Sequence, residues 1–419
     1  MSDAPESGVC NIAAALPRMA RLQGQALAVV APAGHDSQGQ RSYTRLTYQQ
    51  LDEQSDVIAH GLRAYGLTRG MRTVLMVKPS LEFFALTFAL FKAGIVPIMI
   101  DPGLGIKQLK ACLAEVEPEA FIGIPAAHAA RILLGWGRGS IRHLVTVGRR
   151  YAWGGTTLAR VIAAGQGGGA FLEKTQADET AAILFTSGST GIAKGVVYSH
   201  GNFMAQVDLI RQTYNIQPGE IDLPTFPLFA LFDPALGMTT ILPEMDFTRP
   251  AKVDPEKIKA AIEDWGVTNV FASPALLNTV GRHGVERGVQ WPTVKRILSA
   301  GAPVPAVTLE RMHQMLPPCA EIFTPYGATE SLPVANISSL EILSSTRQLT
   351  NAGAGVCVGR VVPPNDVRII EITDEALNDW SQVRVWFAPI GNLGTTAWPV
   401  NGFIYPEKPG KQKGFTLLA

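Results

Sequence analysis

Apolar positions along the chain keep two rhythms in turn. Short, nearly continuous apolar runs alternate with stretches where apolar residues return every three or four places. Asn11 to Leu22 predicts a helix and Ala26 to Ala31 a strand, followed by a polar turn from Gly34 to Gln40. Leu51, Val57, Ile58, Leu62 and Tyr65 then recur at helical spacing until Gly66 ends the run. TVLMVK predicts a buried strand, Pro79 to Lys92 a helix, GIVPIMID a strand, Lys107 to Glu115 a helix and AFIGI a strand. A helical pattern from Thr157 to Ala164 runs into the glycine cluster GQGGG at 165–169. With Ala170 this cluster matches the loose GxGxxG/A nucleotide pattern, but it follows a helix and precedes none, so it reads as a helix cap plus linker.

The alternation resumes beyond the linker. Ala181 to Phe185 predicts a strand, Asn202 to Gln212 a helix, and Val270 to Ala272 a strand with Ser273-Pro274 capping the helix after it. VKRILSA predicts a strand, Val307 to Met315 a helix, and EIFTPYG a strand leading into a loop. From Gly355 the pattern shortens to β-like runs around Pro363-Pro364. This order predicts an α/β fold with mostly parallel sheets. The expected parts are a first α/β subdomain at 1–164, a second at 165–354, the start of a β subdomain at 355–383 and an atypical tail at 384–419.

Composition narrows the class. Of 419 residues, 47% are hydrophobic and 17% charged, which supports a large core and excludes a disordered chain. Lys plus Arg number 36 against 35 Asp plus Glu, a net charge of +1, so no strong field favours nucleic acid. Cys10, Cys112, Cys319 and Cys357 are far apart and form no CxxC pair, which argues against zinc and disulfides. The opening MSDAPESGVC lacks the basic start of a secretory signal. The longest apolar stretch, Leu81 to Ile100, is broken by Glu82, Lys92 and Gly94, so no transmembrane segment is expected. These features predict a cytoplasmic protein with no nucleic-acid partner.

The densest chemistry is TSGSTGIAKG, immediately after the Ala181–Phe185 strand. Gly188, Gly191 and Gly195 allow tight turns that expose backbone N–H groups. Thr186, Ser187, Ser189 and Thr190 add hydroxyls, and Lys194 adds a point charge, so together they suit a polyphosphate. The order differs from the GxxxxGK[ST] phosphate loop. Tyr326-Gly327-Ala328-Thr329-Glu330 follows another strand, where a carboxylate suits Mg²⁺ and an aromatic ring suits a base. Ser299-Ala300-Gly301-Ala302-Pro303 is a small-residue turn after a third strand.

TSGSTGIAKGV, with His200 and Asn202 in the following YSHGN, resembles the signature loop of the adenylate-forming superfamily, and YGATE fits the same family. The resemblance covers about residues 12 to 372. It implies the large N-terminal domain of that fold, ATP and Mg²⁺ as cofactors, and activation of a carboxylate as acyl-AMP. Carried onto this chain, Thr186, Lys194 and Glu330 are the catalytic candidates, with Thr186 and Glu330 on the metal. Ser187, Gly188, Ser189, Thr190 and Gly191 would hold phosphate, while Gly301, Ala302, Pro303, Tyr326, Gly327, Ala328 and Thr329 would line the nucleotide. FPLFALFDPALG looks most like the branch of β-lactone synthetases of bacterial long-chain olefin biosynthesis. That branch implies a long-chain 3-hydroxy acyl substrate and other olefin-pathway enzymes as partners. Phe229, Phe232 and Asp233 are the substrate candidates. Ala230 stands where acyl-CoA synthetases commonly have His, which weighs against thioester formation.

The family pattern stops near Val383. A YRTGD-like ribose motif, an Arg-containing hinge and a C-terminal catalytic Lys are not found, and 384–419 contains a single acid, Glu407. The expectation is a truncated or frame-shifted member without the mobile C-terminal domain. Two alternatives stay open: a conventional fatty acyl-CoA ligase, and a nucleotide-binding fragment without turnover.

Overall fold

The computed structural model describes residues 10–100, 104–185, 195–329, 331–365, 367–370, 403–404 and 416–418. The chain divides into two compact units, Met1–Phe271 and Ala272–Ala419.

In the first unit, α1 (Ala15–Gln23) leads into β1 (Leu27–His35) and a hairpin return, β2 (Arg41–Thr47). Asp36 Oδ1 closes the turn by accepting from the N–H groups of Gln38 and Gln40. α2 (Tyr48–Ala64) starts with a capping box: Thr47 Oγ1 accepts from Gln50 N–H, and Gln50 Oε1 accepts from Thr47 N–H. Next come β3 (Arg72–Met76), α3 (Leu81–Lys92), β4 (Val96–Ile100), α4 (Ile106–Val116) and β5 (Ala120–Gly123). They match the predicted elements to within a few residues.

α5 (Pro125–Leu134), β6 (His143–Thr146) and β7 (Thr156–Thr157) were not anticipated; α6 (Leu158–Gly165) was. The unit continues with β8 (Thr180–Phe185), β9 (Gly195–Ser199), α7 (His200–Tyr214), β10 (Ile221–Pro224), α8 (Asp233–Leu236), β11 (Thr239–Ile241), α9 (Pro255–Trp265) and β12 (Asn269–Phe271).

One sheet runs β7-β6-β5-β3-β4-β8-β9, parallel except for the β8–β9 hairpin. A second contains β12-β10-β11-β1-β2, parallel except for β1–β2. Strands are exchanged across the 165–169 glycines: β8 and β9 complete the sheet of β3 to β7, while β1 and β2 join β10 to β12. Gly165 is also a packing residue. A Cβ there would lie 1.9 Å from the carbonyl oxygen of Val57, and one on Gly61 would lie 1.9 Å from that of Val161, so α2 and α6 touch backbone to backbone.

Val74, Ile98, Phe121, Ile183 and Phe185 form a core cluster on the first sheet, with Leu113 of α4 packed against them. Parallel strands covered on both faces need such continuous apolar runs, which is why these strands were legible. α3 is buried on nearly every side, and its last residue, Lys92, is only 1% exposed. Its ammonium donates to Asp52 Oδ1 at 2.6 Å, Asp52 O at 2.9 Å and Asp56 Oδ1 at 2.5 Å, tying α3 to α2. Asp56 Oδ1 also accepts from Phe171 N–H at 3.1 Å, which extends the tie to the 165–175 segment.

In the second unit, Ser273 Oγ accepts from Leu276 N–H and caps α10 (Pro274–Arg287), as its Ser-Pro start predicts. β13 (Arg296–Leu298), α11 (Ala306–Met315) and β14 (Glu321–Phe323) follow, with β13 and β14 parallel. The strand expected over 321–327 is divided into β14 and β15 (Tyr326–Ala328), and β15 pairs antiparallel with β16 (Ser331–Asn336). Beyond it lie β17 (Val356–Cys357), β18 (Arg360–Val361), β19 (Arg368–Ile370), β20 (Phe403–Ile404) and β21 (Thr416–Leu418). β18 pairs with β16, β17 with β20, and β19 with β21. The short β runs predicted from Gly355 are present, and the tail supplies two of their partners.

Lys92→Met should destabilise the fold by about 3–5 kcal/mol, because it leaves two carboxylates without their buried counter-charge. Urea denaturation of the variant beside Asp52→Asn/Asp56→Asn/Lys92→Met checks this. The triple variant is expected to recover much of the loss.

Candidate active site

In the first unit, β8 ends at Phe185 and β9 begins at Gly195, and these two residues pair across the hairpin. The phosphate-loop candidates Thr186, Ser187, Gly188, Ser189, Thr190, Gly191 and Lys194 fall between those ends and lie outside the described residues. The frame that carries them is described. A Cβ at Gly195 would meet the buried Phe185 ring at 2.8 Å, so a glycine is needed where the loop rejoins the sheet.

Ser199 and Asn202 form a second capping box at the start of α7. His200 is buried beside it. Its Nδ1 accepts from Ile12 N–H at 3.3 Å, and the His200 backbone N–H donates to Glu179 O at 3.0 Å. Burial lowers its pKa to about 4, against the opposing pull of Glu179. The ring therefore serves as a neutral acceptor that pins the end of β9 to the N-terminal segment.

The substrate candidates sit on a continuous aromatic wall. Phe229 stacks on Phe271 with ring centroids 3.8 Å apart and contacts Phe226 and Phe232 at 6.2 and 5.9 Å. Phe232 meets Phe203 at 6.1 Å, and Phe203 meets Tyr198 at 4.8 Å. Ala230, within the wall, is fully buried.

Asp233 is placed behind the wall and is 4% exposed. Its Oδ2 accepts from Thr240 Oγ1 at 2.8 Å, and its carboxyl hydrogen-bonds that of Asp222 on β10. Burial raises its pKa to about 7, more than Thr240 and Asp222 lower it. Tyr48 stands nearby, its hydroxyl donating to Met238 O at 2.6 Å, and burial together with Asp233 raises its pKa. Phe203, Phe226, Phe271, Tyr48, Asp222 and Thr240 were not singled out from sequence. Asp222 had a usable signal, an acid inside the apolar run IDLP, since acids are rarely buried without a partner.

In the second unit, Leu298 and Phe323 pair at the carboxyl ends of β13 and β14. The 299–303 turn and the 324–329 segment therefore leave the sheet side by side, at the edge where parallel sheets hold ligands. Gly301 has φ +91°, with open space where a Cβ would point. Ala302 and Pro303 are exposed, and the buried Ser299 Oγ has no hydrogen-bond partner among the described residues. Tyr326 is half-buried on β15, Gly327 and Ala328 are exposed, and Thr329 follows. An open small-residue turn, an unsatisfied hydroxyl and an aromatic face fit a flat, hydrogen-bonding base. Glu330 lies outside the described residues. Among the described residues no group of three or more His, Cys, Asp or Glu is placed to hold a metal; the metal candidates Thr186 and Glu330 both lie outside the described residues.

A profile of AMP-binding enzymes matches residues 16–387, and this chain belongs to that family. It is 52% identical over 400 residues to an olefin beta-lactone synthetase of Xanthomonas campestris pv. campestris, covering 95% of this chain and 70% of that protein. A protein of the same name from Stenotrophomonas maltophilia is 52% identical over 404 residues, covering 96% and 72%. The fold is that of the N-terminal domain of FACL13 from Mycobacterium tuberculosis (TM-score 0.68, 20% identity, 90% of this chain and 86% of that one). It is shared by the long-chain-fatty-acid-CoA ligase FadD1 from Archaeoglobus fulgidus (TM-score 0.71, 17% identity, 87% and 71%). Among the described residues no helix is long and apolar enough to cross a membrane.

Imidazole NMR should place the His200 titration midpoint near 4 rather than 6.5. Because its folded pKa is lowered, the stability it contributes is present above about 6.5 and is lost as pH falls toward 4. A midpoint above 6 would show the ring to be solvated.

Proposed function

We propose that this chain activates a long-chain 3-hydroxy fatty acid with ATP and closes it to a β-lactone. The observation that carries the reading is the 52% identity, over nearly the whole chain, to two proteins named olefin beta-lactone synthetase. A carboxylate oxygen of the acid attacks the α-phosphorus of ATP, and pyrophosphate leaves. The 3-hydroxyl oxygen then attacks the acyl carbon, its proton goes to solvent, and AMP leaves.

Backbone N–H groups and hydroxyls of Thr186 to Thr190, with Gly191 and Lys194, hold the phosphates in line. Tyr326 offers its face to the adenine, beside the backbone of Gly301 to Pro303 and of Gly327 to Thr329. Oxygens of Thr186 and Glu330 would hold a Mg²⁺ ion, whose charge would offset that of the departing pyrophosphate. Phe229 and Phe232 line the path of the acyl chain, since such pockets are largely apolar. The ring closure is intramolecular and needs no thiol, in keeping with an alanine at 230. The setting of this reading is the cytoplasm, alongside other enzymes of an olefin pathway.

Pyrophosphate release from Mg-ATP, without CoA, should depend on a long-chain 3-hydroxy acid and should yield a lactone. Release that requires CoA would make the chain an acyl-CoA ligase. Bound Mg-ATP with no release from any acid would make it a nucleotide-binding protein without turnover. In an active preparation, Glu330→Gln should slow release by about 10²-fold or more, as expected when one stabiliser of developing charge is removed.

A further inference from the structure

We infer that Gln206 is a specificity-determining residue of this chain, its buried amide pairing with the 3-hydroxyl of the acyl substrate and so separating hydroxy acids from plain fatty acids. The inference deepens the proposed function and rests on the acyl path proposed along Phe229 and Phe232.

α7 turns Phe203, Gln206, Val207 and Ile210 inward, at the spacing of one buried helix face. Gln206 is only 6% exposed and is the single polar residue of that face between Phe203 and Ile210. Its Nε2 donates to the Tyr198 hydroxyl at 3.3 Å, and its Oε1 has no hydrogen-bond partner among the described residues. Turning the amide over would bond its oxygen to Tyr198 and leave the NH₂ group unpaired instead. In either orientation one polar group of the amide is buried alone. Phe203, Val207 and Ile210 carry no side-chain donor, and Asn202 and Asp208 of the same helix are exposed. A buried polar group without a partner costs stability, whereas a leucine or methionine would fill the space at no such cost. A ligand that supplies the missing partner gives the amide a reason to be there.

The surroundings of the amide define that ligand. Tyr198, its partner, packs on Phe203 with ring centroids 4.8 Å apart, and Phe203 meets Phe232 at 6.1 Å. Gln206 therefore stands one helical turn from a ring of the aromatic wall and shares Tyr198 with it. An alkyl chain offers neither donor nor acceptor. A 3-hydroxy acid carries a hydroxyl on its otherwise apolar tail, and a hydroxyl both donates and accepts, so it completes the amide in either orientation. The amide is neutral and takes no proton. It fixes the place of the hydroxyl, whose proton still goes to solvent when the ring closes. A fatty acid without the hydroxyl would bury the same amide unpaired against methylene groups, a mismatch that a hydrogen-bonding site penalises heavily.

Gln206→Met, which keeps the length of the side chain and removes its polar atoms, tests this. Pyrophosphate release from Mg-ATP is measured with 3-hydroxydodecanoic acid and with dodecanoic acid. Wild type should prefer the hydroxy acid in kcat/KM by about 10²-fold, and that preference should fall at least tenfold in the variant. The Tm of the variant without ligand should match or exceed that of wild type. An unchanged preference, whatever the Tm, would make Gln206 a packing residue and overturn the proposal, as would a wild type with no preference. If Gln206→Met does not fold, Gln206→Leu carries the same comparison. If neither acid releases pyrophosphate, the proposed activity fails, and calorimetric Kd values for the two acids decide the amide. A wild-type preference that is lost in the variant would support it; equal binding of both acids, or binding of neither, would overturn it.

Discussion

Parallel strands deliver their carboxyl ends to one edge of a sheet, and the candidate chemistry of this chain depends on that constraint. Residues 186–194 follow β8, which lies parallel to β4. Residues 225–233 follow β10, parallel to β12. The 299–303 and 324–329 segments follow β13 and β14, whose last residues are paired. Loops at such ends are freed from the ladder yet held by a rigid base. A buried sheet can thus present glycine, hydroxyl and aromatic groups at fixed positions without contributing reactive groups of its own.

The aromatic wall illustrates how packing and candidate specificity become one problem. Phe232 and Phe271 are buried, Phe226 and Phe229 are half-buried, and the four rings pack on one another in the segment proposed to line the acyl path. A histidine at 230 would require a polar partner in a place where the alanine is fully buried.

Three buried ionisable sites are reconciled with a low-dielectric interior in three ways. Lys92 keeps its charge and is matched by two aspartates. His200 gives up its charge and works as an acceptor. Asp233 accepts from the Thr240 hydroxyl, and burial pushes its pKa up to about 7. Two of the solutions tie elements distant in sequence, α3 to α2 and the start of α7 to Ile12, and the third ties α8 to β11. Burial of a polar group is tolerable only where such a tie exists, so these residues also fix which segments meet.

Local pattern determined much of this protein. The continuous apolar runs of β3, β4, β5 and β8 announce strands buried on both faces, and the cap expected at Ser273 is present as a hydrogen bond. The family was legible in TSGSTGIAKGV and YGATE, because phosphate and base recognition demand particular residues at close spacing. β2 escaped notice because an edge strand with solvent on one side needs no apolar run, and β10 and β11 because strands of three or four residues are too short for a period to show. Only the tertiary structure decided that β1 and β2 join β10 and β11, since sheet pairing is set by contacts between distant segments. It also decided the state of Asp233. Sequence shows an acid after Phe232, but whether that acid faces solvent, a substrate or another acid depends on Asp222, a residue brought beside it only by the fold.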